Sequence, residues 1–107
     1  MTNAILLYVG GAVITLWGIA HIVPTKSVVS GFGQTSQDNR RIITMEWIAE
    51  GLTLCFVGLL VLFVTVFIGP QNPASNIVYW ASAVMLVVMA ILTALTGSRT
   101  PVLPMKI

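Results

Sequence analysis

Two glutamates, Glu46 and Glu50, stand four residues apart where an apolar segment begins, in a chain of 107 residues with only three acidic and five basic side chains. Four residues is about one helical turn, so both carboxylates share a helix face. The single histidine, His21, sits near the end of an earlier apolar run that closes at Val23, much as Glu50 sits near the start of one that opens at Ile48. At 1.5 Å rise per residue, both groups fall about 3 Å below one membrane boundary, with Glu46 about 6 Å nearer water than Glu50. Trp17 precedes His21 by one turn, and Trp47 lies between the two glutamates.

An imidazole and a carboxylate at equal depth can share a proton, pair as ions or hold a polar ligand. A charged side chain at a helix centre costs a few kcal/mol on insertion scales and less near the boundary, so Glu50 needs to be paired, protonated or wetted. Lipid exposure is the costliest arrangement. Three readings stay open at this point. His21 and Glu50 only tie two helices together; or they bind a small ligand, lipid headgroup or quinone-like molecule; or they serve proton-coupled transport, or metal or haem ligation. In the binding reading His21 and Glu50 are the central polar contacts, Trp17 and Trp47 the apolar walls, and Glu46 the link to water. Thr93 and Thr96, late in a third apolar run, reach a similar level.

Other chemistries find less to work with. A di-iron carboxylate bundle needs several glutamates and two Glu-x-x-His pairs, and no such pair occurs. His21 could serve haem as one axial ligand, but nothing else marks a haem pocket. The chain has no Gly-rich phosphate loop, no nucleophile elbow and no Ser, His and acid set. Cys55 is the only cysteine, so neither an intrachain disulfide nor a cysteine metal cluster can form. Inside an apolar run it reads as inert packing. A formal charge of +2 with scattered charges makes no footprint for nucleic acid. No catalytic residues, metal site or cofactor are named by these patterns, and an independent enzyme is not expected.

What positions the polar groups is a membrane bundle. The chain is 57% hydrophobic and 7% charged, against about 25% charged in soluble domains. A spanning helix needs about 20 mostly apolar residues. Three runs qualify: about residues 4–23, closed by Pro24; 48–68, closed by GPQNP; and 77–95, closed by Thr96 and Gly97. The expected fold is therefore an all-α transmembrane bundle of three spans forming one domain over residues 1–107. The first run lacks a positive leader and a following small-residue cleavage site, so we expect it to be retained as a helix. Lys26, Arg40 and Arg41 lie between the first two runs, and Arg99 and Lys106 follow the third. Short basic segments stay in the cytoplasm, which predicts an N-terminus outside and a C-terminus inside; a bacterial inner membrane is the expected location. Tyr8, Tyr79 and Trp80 near the outer ends suit an interfacial aromatic belt.

The connection PTKSVVSGFGQTSQDNRR has two readings. It is a solvated linker with a flexible turn at Gly31, Phe32 and Gly33, or a membrane-surface lid whose Val28, Val29 and Phe32 dip into the interface. Ser36 or Asp38 can cap a helix that begins before the membrane and runs into the second span. Each run also carries two small residues seven apart, Gly11 and Gly18, Gly51 and Gly58, Ala83 and Ala90. Such stripes let neighbouring backbones approach closely, so the spans are expected to pack on one another.

The segment Gly18-Ile19-Ala20-His21 with Pro24, followed by Glu50-Gly51 and Gly58, resembles the DoxX-like group of small membrane proteins over roughly residues 10 to 60. The resemblance implies a four-helix bundle associated with membrane redox or quinone metabolism. This chain departs from that pattern in having three clear spans. Pro101 and Pro104 keep the tail SRTPVLPMKI from continuing the third, so either this is a three-helix variant or a fourth helix is missing. The first functional expectation is binding of an amphipathic or quinone-like small molecule at the cytoplasmic end through His21, Glu50, Glu46, Trp17 and Trp47. A structural or assembly subunit of a larger membrane complex is the alternative, and proton-coupled transport by a homo-oligomer the second. Expected partners are membrane lipid and further membrane subunits, either copies of itself or other chains.

Overall fold

A computed structural model describes residues 2–96; Gly97, Arg99, Lys106 and the proline-containing tail lie outside them. Among the described residues every regular element is helical: α1 (Thr2–Ile22), α2 (Thr25–Gly31), α3 (Gln37–Phe63), which continues through a π-helical turn (Val64–Ile68), and α4 (Pro73–Leu95). Among the described residues three helices are long and apolar enough to cross a membrane, Ala4–Ile22, Gln37–Ile68 and Pro73–Leu95. The molecule measures 51 × 23 × 18 Å, so its long axis exceeds a hydrocarbon core of about 30 Å.

The helix boundaries follow local chemistry. Pro24 disfavours helical backbone at the residue before it, and α1 stops at Ile22. The first part of the connection between the first two spans, expected as a linker or a lid, is helical. Seven of its residues form α2, and Val28 is completely buried rather than dipped into an interface. Phe32 remains exposed, and Gly33 turns the chain at φ +74°, a left-handed conformation that glycine adopts freely. Ser36 then caps α3, its side chain accepting a hydrogen bond from the Asn39 amide at 3.1 Å, with Asp38 in the first turn. At the other end the Gly69 amide bonds Val64 O across the π turn, and Gly69 itself, at φ +103°, ends the helix. Asn72 caps α4, with Pro73 in its first turn, so this span starts four residues before its apolar run.

The core is a glycine seam between α1 and α3. A Cβ on Gly18 would lie 2.7 Å from Gly51 O, and one on Gly58 would lie 2.7 Å from Gly11 O. The pairs are reciprocal: Gly18 opposes Gly51 and Gly11 opposes Gly58, as antiparallel helices require. Cys55 packs in this seam, its thiol donating to Thr15 O at 3.5 Å. On α4 the expected small stripe is displaced. Ala83 and Ala90 are exposed, while Ser75 and Ser82, also seven apart, are buried. The reason is an anchor on that face, a 2.6 Å hydrogen bond between the Tyr79 and Thr65 hydroxyls. Tyr79 therefore belongs to the bundle, whereas Trp80 is 73% exposed.

Candidate functional site

The seam sets what faces His21. With Gly18 opposite Gly51 in an antiparallel pair, three residues further along α1 lies opposite three residues earlier on α3, which places His21 at the level of Ile48. Trp47 and Glu50, three apart on one α3 face, then bracket it. The His21 and Trp47 rings stack with centroids 3.8 Å apart and planes 15° from parallel. Trp47 Nε1 donates to His21 O, one of the last carbonyls of α1, which lacks an acceptor role within its own helix. Trp47 is 7% exposed. One indole thus closes the helix end and fixes the imidazole plane.

His21 Nε2 lies 3.8 Å from Glu50 Oε2. That distance is too long for a direct hydrogen bond. Nε2 is buried and has no hydrogen-bond partner, while the Glu50 side chain is 39% exposed. The pair is therefore a screened nitrogen behind a carboxylate that still reaches the surface. It becomes an ion pair only when the imidazole carries a second proton.

The structure brings His21, Trp47 and Glu50 together and leaves the other expected contacts apart. Glu46 is exposed one turn from Glu50 and makes no ion pair among the described residues. Trp17 is 46% exposed, and its indole makes no ring contact there. It shares His21's side of α1 but lies further from the seam, so it does not form a wall. The Thr93 and Thr96 hydroxyls donate to Met89 O and Leu92 O of their own helix. They are not members of the cluster.

A second feature was not singled out by the sequence reading, which used Arg40 and Arg41 only for orientation. Gln37, Arg40, Arg41, Thr44 and Met45 line an open depression of about 470 Å³ on the first turns of α3. Its signal was present in the spacing, since intervals of three and four residues mark one helix face. No family model, curated protein or solved structure matches this chain.

Proposed function

We propose that this integral membrane protein binds the polar head of an amphipathic, quinone-like small molecule at its His21 and Glu50 pair, with Trp47 holding the imidazole. The observation that carries the reading is the buried His21 Nε2 without a partner, 3.8 Å from Glu50 Oε2. Buried polar atoms are nearly always hydrogen-bonded, so an orphan of this kind marks a missing partner. A ligand oxygen about 2.8 Å from each atom fits that gap as the apex of a triangle. A ligand hydroxyl there can bridge the imidazole nitrogen and the carboxyl group, accepting from one and donating to the other. The DoxX-like resemblance of the same residues points to membrane redox or quinone chemistry in a bacterial inner membrane, and the basic residues favour the cytoplasmic side for this end.

The test is native mass spectrometry of the gently extracted full chain, reading bound small molecules directly. His21→Gln and Glu50→Gln should each lower retention about tenfold, the effect of losing one hydrogen bond to a charged group, with helical content unchanged. Equal retention in wild type and both variants rejects the proposal.

A second reading, a subunit of a larger membrane assembly, is favoured by α4. Only Ser75 and Ser82 are buried along its length, and Ala83 and Ala90 are left exposed. Ala83→Leu with Ala90→Leu should then abolish a stoichiometric complex recovered in mild detergent. A chain that binds its ligand with no partner present speaks against this reading.

A further inference from the structure

The first turns of α3 sort their charges. Arg41 and Glu50 are nine residues apart, about two and a half turns, so they occupy opposite sides of the helix, while Arg40 lies about 15 Å along the axis from Glu50. Within the depression Arg40 uses one donor on Gly33 O at 3.4 Å, and the Thr44 hydroxyl donates to Arg40 O at 2.7 Å. Arg41 makes no ion pair among the described residues, not even with Asp38 three positions earlier. Arg40 and Arg41 therefore border an open concavity, with most of their guanidinium donors unused.

The same face continues into the membrane as an apolar lane. Met45, Ile48, Leu52 and Leu59 follow at intervals of three, four and seven residues, and Met45 and Leu52 are each 58% exposed. Arg41 precedes Ile48 by about 10 Å of helix. The headgroup layer adds about 5–8 Å beyond the hydrocarbon on each side, and an arginine stem covers the remainder by leaning toward the interface. Cationic donors at headgroup level and an exposed apolar track below them match the two ends of a phospholipid.

We propose that this face binds an anionic phospholipid, its phosphate held by Arg40 and Arg41 in the depression and one acyl chain lying along Met45, Ile48 and Leu52. The two guanidinium groups, with Glu46 turned away and Glu50 more than about 13 Å further along the helix, select a net negative headgroup over a zwitterionic one. The apolar lane selects a lipid over free phosphate. The site is separate from the His21 cluster and stands without it.

The test uses the full chain in vesicles of equal phosphatidylglycerol and phosphatidylcholine, with retained lipid counted by native mass spectrometry. Wild type should keep phosphatidylglycerol preferentially. Arg40→Gln with Arg41→Gln should reduce that preference about thirtyfold, as expected for two basic residues at the membrane surface. Arg40→Lys with Arg41→Lys should keep much of it, which shows that the fold survives changes here. Lys26→Gln should leave it unchanged, and inorganic phosphate at tens of millimolar should not displace the lipid. An unaltered preference in the double Gln variant, an equal loss in Lys26→Gln, or displacement by phosphate overturns the proposal.

Discussion

Gly18→Ala puts a methyl group 2.7 Å from both Gly51 O and the Cys55 amide nitrogen. Ordinary contact begins near 3.4 Å, so α1 and α3 must separate by about 0.7 Å. Those two atoms are backbone and cannot rotate away, although the nearest atom, Cys55 Sγ at 2.6 Å, belongs to a side chain. Overpacking of this kind costs about 1–3 kcal/mol, offset by up to about 1 kcal/mol of better helix propensity. Gly10→Ala is the internal control, since a Cβ there meets nothing within 4 Å. It collects the propensity gain without the clash. Stability is measured by denaturant titration in mild detergent, followed by far-ultraviolet circular dichroism. Trp47 emission, isolated by Trp17→Phe and Trp80→Phe, reports the imidazole stack. Gly18→Ala should lose about 1–2 kcal/mol and change the Trp47 signal, while Gly10→Ala should match or exceed wild type. Equal midpoints for the two variants would refute the glycine seam and the register argument built on it.

Two further outcomes follow from single hydrogen bonds. Trp47→Phe keeps a ring against His21 but removes the donor to His21 O, and should cost about 1–2 kcal/mol in the same titration because a carbonyl at the end of α1 loses its partner; no loss would show that water satisfies that carbonyl. Tyr79→Phe removes the 2.6 Å bond to Thr65 and should cost only about 0.6 kcal/mol, typical of a hydrogen bond between membrane helices. Spin-label distances between α3 and α4 should broaden, while those between α1 and α3 stay narrow. Broadening of both sets would mean that α4 is not attached independently of the seam.

The spans are legible in the chain because the requirement is one-dimensional. A crossing helix satisfies its own backbone and needs only length and apolar side chains. The Ser36 cap was legible for a similar reason, since it serves an amide three residues away. Depth along a helix is also readable, which is how His21 and Glu50 emerge together. Rotation about the helix axis is harder to read in lipid, where an apolar face is as comfortable outward as inward. Hence Trp17, at the right depth, faces out, and Ser75 and Ser82 replace Ala83 and Ala90 as the packed stripe. The helix α2 was missed because its seven residues carry little helical signal of their own. Val28 finds a completely buried place only when that segment coils against its neighbours.

By itself the sequence determined that this is a membrane protein of three apolar spans with a histidine and a glutamate near one boundary, because composition and run length are properties of a linear string. The tertiary structure decided which faces meet. Close backbone approach at Gly11, Gly18, Gly51 and Gly58 locks one antiparallel register, and that register sets Trp47 against His21 and leaves Glu50 just beyond hydrogen-bonding reach. Contacts of this kind depend on atoms dozens of residues apart, and no local pattern specifies their distance.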